Sequence, residues 1–469
     1  MKHFCILLTA LLTWLPSNAK IKMGALFNDG MVLQQQCDAH IWGWATPNTK
    51  VTLKTSWDNK TVTCQSEADG KWQATLHTPQ GDFTPYEITV SDGEKFIIKD
   101  VLIGEVWIGS GQSNMEMCLA GRPNRVIENA AKEIAYAEKY KGKLHLATVA
   151  HNVPLTPADD VKAQWQDCSS ATVAPWSAVC YFFGSTLVDI LNCPVGMIST
   201  CWGGSAVESW IPRNIVENYE GINLSEKWLK SGHTAAPTIR YNGMIHPIEG
   251  YNAKGFIWYQ GEANVKNANQ YAARLEDLIT SWRSLWGQSE MPFYQVEIAP
   301  YKYSGIDNYD AAILREAQCE VTHNMSHVGM ISTSDLVKDY EYAQIHPMMK
   351  RSVGERLAFM ALARDYGLKG IPADYPEYKG MTVKDDKVYL DISNAKEGFN
   401  RFQGFNGFEI CGADGIFHPA TGSIEKNIIV LTSPYVPNPK HVRYCFKNFV
   451  IGNTTNVYGL PIIPFRTDK

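Results

Sequence analysis

Residues 101–117 read VLIGEVWIGSGQSNMEM. An apolar run without polar alternation ends in Gly-Ser-Gly, followed by Gln112, Ser113 and Asn114. A strand buried on both faces, as in a parallel sheet, has this pattern. The polar triplet then falls at the carboxyl end of the strand, where open α/β sheets gather their reacting groups. Ser113 is either a displayed nucleophile or the polar first residue of the next helix.

Similar runs recur downstream: KLHLATVA (143–150), VGMISTCW (195–202), GFIWYQ (255–260), FYQVEIA (293–299) and HVGMISTS (327–334). Between them lie helical patterns. In 269–286 the apolar residues Tyr271, Leu275, Leu278, Trp282 and Leu285 recur at helical spacing, and Met349, Val353, Leu357 and Ala361 do the same in 347–363. Alternation of this kind predicts a doubly wound parallel sheet with helices on both faces over residues 104–368.

The flanks have a different texture. Residues 20–103 hold short alternating stretches such as HIWGWA, KVTLKT, KWQATLHT and YEITVSD, separated by turn signals. They predict a small β-sandwich. Residues 369–469 return to that pattern and predict a C-terminal β unit, separate or packed with the N-terminal one. Residues 1–19 have a basic start, an apolar run and the small-residue ending Ser-Asn-Ala. That predicts a signal peptide cleaved after Ala19, hence a secreted or periplasmic protein with no membrane anchor.

The chain has 469 residues, a hydrophobic content of 45% and a net charge of −5. It has no basic excess of the kind that nucleic-acid binding needs. The cysteines show no zinc-type spacing. Cys168 with Cys180 and Cys193 with Cys201 are candidate disulfides, with scattered buried thiols the alternative.

Four strand tips carry residues suited to acyl transfer. They offer Ser113, the Gly203–Gly204 turn, Asn264 (with Glu262 two residues before it) and, after the last buried strand, His346. A serine hydroxyl needs a base within hydrogen-bond reach, and a histidine suits that role. The Ser113 amide, an amide of the glycine turn and the Asn264 side chain could receive an oxyanion. Trp202, Trp210 and Tyr259 are candidates for a sugar-facing wall, and Arg122, Arg240 and Arg315 for pairing a carboxylate. His246, in a second Ile-His-Pro, precedes its strand and is expected to be structural.

GSGQSNMEM, CWGGSAVESW, IWYQGEANV and IHPMMKRSVGERLA resemble the sequence blocks of SGNH hydrolases. The sialate O-acetylesterase group, which includes related carbohydrate acetylesterases, is the most similar. FNDGMVLQQ (27–35) and YNGMIHPIEGYNAKGFIWYQGEAN (241–264) extend the likeness over nearly the whole mature chain. The resemblance implies Ser113 as nucleophile, His346 as base, and Ser113, Gly204 and Asn264 as the oxyanion hole. Gln112, Trp202 and Glu262 lie where substrate would bind. It implies no metal and no cofactor, and a substrate that is an O-acetylated sialic acid or another acetylated glycan. Many relatives have an aspartate three residues before the histidine, and here that residue is Ala343. Another common aspartate position holds Gln344. Glu341, Asp339 and Asp335 are the alternatives for a third triad member, and a Ser-His dyad is a further one. Two other functions fit less of the pattern: an acetyl xylan or other polysaccharide esterase, and a non-catalytic carbohydrate-binding protein on a hydrolase scaffold.

Overall fold

The apolar run at 101–111 is the second half of a longer strand, β1 (Lys95–Gly111). The computed structural model describes residues 21–402 and 404–469, so the expected signal peptide lies outside the described residues. The outer half of β1 pairs antiparallel with Tyr86–Ser91 and parallel with Val32–Gln34. Its inner half enters the main sheet. One strand therefore carries both the N-terminal β unit and the strand tip at Ser113, and the expected boundary at 103/104 falls inside it.

The main sheet continues with β2 (Leu144–Val149), β3 (Ala163–Asp167), β4 (Val195–Cys201), β5 (Gly255–Tyr259), β6 (Phe293–Val296) and β7 (Val328–Ile331). The strand order is β3-β2-β4-β1-β5-β6-β7. Every pairing from β2 to β7 is parallel, and β3 is an antiparallel edge. β4 and β5 both flank β1, and the chain crosses over β1 between them. Their three carboxyl ends therefore meet at the centre of one sheet edge, where a doubly wound sheet places its ligand crevice.

Helices close both faces, as the alternation predicts. They include α1 (Ser113–Glu116), α2 (Ala178–Leu191), α3 (Tyr271–Leu285), α4 (Asp310–Asn324) and α5 (Lys350–Arg364). Ser177 caps α2 by accepting the Cys180 amide at 3.2 Å. Gly354 lets α5 approach α2, because a Cβ there would lie 2.5 Å from Cβ of Phe182. Phe182, Phe183, Val353 and Leu357 fill the core on that face, while Trp258, Trp282 and Phe293 fill the other.

The N-terminal strands alternate as expected, with Ile41, Val51, Leu53, Leu76, Ile88 and Val90 inside one core. The C-terminal residues form two four-stranded sheets around Leu390, Ile410, Leu431 and Val442. This unit is tied to α4: the Asn448 side chain accepts the Ala311 amide at 2.8 Å, and Arg466 pairs with Glu316 at 2.8 Å. All ten described cysteines are free thiols, so the candidate disulfides are absent. Cys168 and Cys193 are buried, and the loss of solvent pushes each thiol up to about 12. No helix among the described residues is long and apolar enough to cross a membrane.

Candidate active site

Ser113 is the first residue of α1 and is half-buried at the tip of β1. Gly111 makes the sharp exit from the strand: its φ is +137°, and a Cβ would sit 2.2 Å from the Tyr259 carbonyl oxygen. Gln112 fixes the neighbouring tip. Its amide donates to the Tyr259 carbonyl at 3.0 Å, and its Oε1 accepts the Gly261 and Ala263 amides at 3.3 and 3.2 Å. Gln112 is thus a buried brace between β1 and β5 instead of a surface facing substrate.

The glycine turn follows β4. The Trp202 amide donates to the Gly111 carbonyl at 3.0 Å. The Gly203 amide donates to Glu116 Oε2 at 2.7 Å, so that amide is occupied. A Cβ on Gly203 would lie 3.3 Å from Ser113 Cβ, so the turn packs directly against the serine. Gly204 takes φ +73°, a conformation that favours glycine. Among the described residues, the Ser113 and Gly204 amides donate to no protein acceptor.

Asn264 is buried at the β5 tip. Its Oδ1 accepts the Val207 amide at 3.0 Å and Gln260 Nε2 at 2.7 Å. Its Nδ2 donates to the Glu208 carboxylate at 3.0 and 3.1 Å, and Arg274 pairs with that carboxylate. The side-chain amide is therefore held in one orientation.

His346 is buried just before α5. Its Nε2 has no hydrogen-bond partner among the described residues. Burial, with the positive charges of Arg125, Lys350 and Arg122, lowers its pKa to about 4. The imidazole is therefore neutral and able to accept a proton over most of the pH range. None of the three acidic candidates forms an ion pair or hydrogen bond with it. Asp335 is bound by Arg356 through two bonds of 2.7 and 2.6 Å. Asp339 is exposed. Glu341 accepts the Lys338 and Met348 amides at 2.9 and 3.0 Å, which folds the loop that carries the histidine.

The link between the serine and histidine segments is Asn114. Its side-chain amide donates to the Ile345 carbonyl at 3.0 Å and also to Glu262. Its Oδ1 accepts Lys350 Nζ at 2.7 Å. Glu262, Asn114 and Lys350 thus form a buried polar chain beneath the site, not a substrate-facing wall. Burial raises the Glu262 carboxyl above its usual range and lowers the Lys350 ammonium to about 7. Sequence reasoning did not single out Asn114 or Lys350 as site residues. The available signals were the position of Asn114 beside the serine and of Lys350 one helical turn beyond His346.

The half-buried Trp202 ring stacks on the exposed His151 with centroids 3.9 Å apart, and the fully buried Arg240 guanidinium lies 4.5 Å from it. Trp210 and Tyr259 are fully buried core residues. Their rings sit beneath the strand tips, and no sugar could reach them. Arg315 is buried, donating to the Lys447 carbonyl. Arg122 stands by the site, 4.0 Å from Glu116. The turn from Arg122 to Arg125 is held to the histidine loop by Gln344, whose amide donates to the Asn124 carbonyl at 2.6 Å. The ring of His246 bonds to the Ala158 carbonyl at 3.0 Å, as a structural histidine would.

The family model described as "Carbohydrate esterase, sialic acid-specific acetylesterase" matches residues 103–363, more than half of the chain. The chain belongs to this family. It is therefore a carbohydrate esterase. The sialate O-acetylesterase of Homo sapiens is 29% identical over 430 residues, covering 82% of this chain and 79% of that protein. That of Mus musculus is 27% identical over 452 residues, covering 84% and 82%. A carbohydrate acetylesterase from Xanthomonas citri has the same architecture. Its crystal structure superposes with a TM-score of 0.86 at 30% identity, covering 96% of this chain and 100% of that one. The two β flanks therefore belong to the shared architecture along with the central sheet.

Proposed function

We propose that this esterase removes O-acetyl groups from sialic acids by a two-step reaction on Ser113. The observation that carries the site assignment is the Asn114–Ile345 hydrogen bond, which clasps the residue after Ser113 to the residue before His346. In the first step Ser113 Oγ attacks the acetyl carbonyl and His346 Nε2 takes its proton. The Ser113 and Gly204 amides, with the second amide hydrogen of Asn264, receive the oxyanion; each such donor contributes about 3 kcal/mol to lowering the barrier. His346 then protonates the leaving sugar hydroxyl. Water, deprotonated by the same imidazole, releases acetate and restores the serine. With no carboxylate on His346, the pair works as a dyad.

One feature favours an anionic sugar. Arg122 and Arg125 stand beside the histidine loop with their positive charge felt at His346. Guanidinium groups suit a substrate carboxylate. A neutral polysaccharide such as acetylated xylan, the second reading, gains nothing from them. The test compares an O-acetylated sialic acid with an acetylated xylo-oligosaccharide on wild type and on Arg122→Ala/Arg125→Ala. Loss confined to the sialic acid supports the proposal, and equal rates on both sugars with both proteins oppose it. Export follows from the leader-like residues 1–19, and N-terminal sequencing of the mature protein tests it: a start at Lys20 is expected, and a retained Met1 would contradict it.

A further inference from the structure

α4 runs back from the carboxyl edge of the sheet, so its last turn lies at the edge opposite Ser113. That turn carries the sequence CEVTH (319–323), with Cys319 and His323 four residues apart on one helix face. Facing them is Glu377, immediately before the first strand of the C-terminal unit. The thiol sulfur, a ring nitrogen and a carboxylate oxygen of these three residues all lie within 4.8 Å of one another. His323 Nε2 is 3.0 Å from Glu377 Oε2.

Zinc bonds of about 2.0–2.3 Å to N, O and S place tetrahedral donors roughly 3.3–3.8 Å apart. The three groups are close to that spacing already. Thiolate and imidazole together suit zinc and disfavour magnesium or calcium, which take oxygen donors. One thiolate and one carboxylate also neutralise a divalent ion. The cluster opens onto a cavity of about 360 Å³ that is also lined by Glu320, Asn324 and Glu316, the last paired with Arg466 and Lys469. An ion can enter there, and a water can serve as fourth ligand.

We propose that Cys319, His323 and Glu377 bind one zinc ion that pins α4 to the start of the C-terminal β unit. Binding converts the Cys319 thiol to a thiolate and releases its proton to solvent. The ion acts as a structural staple, since it sits at the far edge of the sheet from the serine.

The test uses the full chain, stripped with a chelator and then loaded with Co²⁺ or Zn²⁺. Wild type is expected to bind one Co²⁺ per chain with an intense near-ultraviolet thiolate charge-transfer band, and to melt at higher temperature with Zn²⁺ than without. Cys319→Ser should lose the band while keeping its circular dichroism, and His323→Ala should bind at least about tenfold more weakly. The proposal is overturned if wild type binds less than one ion per chain or shows no thiolate band. It also fails if Cys319→Ser/His323→Ala binds as wild type does. If Cys319→Ser fails to fold, the His323→Ala and Glu377→Ala variants carry the test, since the ion belongs to this site only if they weaken its binding.

Discussion

The side-chain amide of Asn114 donates to the Ile345 carbonyl at 3.0 Å. That bond joins two segments more than two hundred residues apart, and each carries one half of the proposed dyad. The same side chain accepts from Lys350 and donates to Glu262, so a single asparagine fixes the strand tip, the histidine loop and the start of α5.

Replacing Asn114 with alanine should therefore misplace His346 relative to Ser113. A shift of about 1 Å costs on the order of 10²-fold in rate. Steady-state kinetics on an aryl acetate should show kcat falling by about that factor with little change in KM. An unchanged kcat would remove the clasp from the account.

Lys350 faces both Glu262 and His346, and its charge helps to hold the imidazole pKa down to about 4. Lys350→Met removes that charge while roughly keeping the volume. The acid limb of the kcat/KM profile should move to higher pH in this variant, towards the ordinary histidine value. A limb that stays in place, or moves down, contradicts this role.

His346 also links stability to pH. Its folded pKa lies near 4, below the ordinary value of about 6.5 for an unfolded chain. Between those values the unfolded chain binds more protons, so this contribution is full above about pH 6.5 and is lost as pH falls towards 4. Denaturant melts of wild type and His346→Gln should converge over this window as wild type loses its share. Parallel curves across the window would show that the imidazole titrates normally in the folded protein.

Much of this arrangement was legible in the sequence. The unalternating runs ending at Gly111, Cys201 and Tyr259 predict buried parallel strands, and these are the adjacent β1, β4 and β5. Ser113, Gly204, Asn264 and His346, the residues of the proposed site, each follow a buried strand in the sequence, and that placement singles them out as candidates. The polar chain through Asn114 and Lys350 was not legible, since it joins residues 236 positions apart that meet only when α5 folds back to the tip of β1. The choice between an acidic partner and a dyad was left open by the sequence. Asp335, Asp339 and Glu341 lie close to His346 along the chain, but Arg356 takes the first, solvent the second and backbone amides the third. The continuity of β1 across the 103/104 boundary was hidden because its outer half alternates and its inner half does not.

Glu341 accepts two amides of the histidine loop, each bond contributing about 1.5–3 kcal/mol when the acceptor is a charged group. Glu341→Ala should lower the melting temperature and reduce kcat together, and Glu341→Gln, which keeps one acceptor, should recover part of both. If Glu341 were instead the triad acid, Gln would be nearly as inactive as Ala, since the charge is what stabilises an imidazolium.

The whole mechanism depends on Ser113 being a nucleophile that is activated by His346. Mass spectrometry after brief exposure to a serine-directed fluorophosphonate reads this directly. The account predicts one adduct, on Ser113, in wild type, with labelling slowed by at least about 10²-fold in His346→Ala and absent in Ser113→Ala. Labelling at another residue, or equal labelling of wild type and His346→Ala, would contradict it.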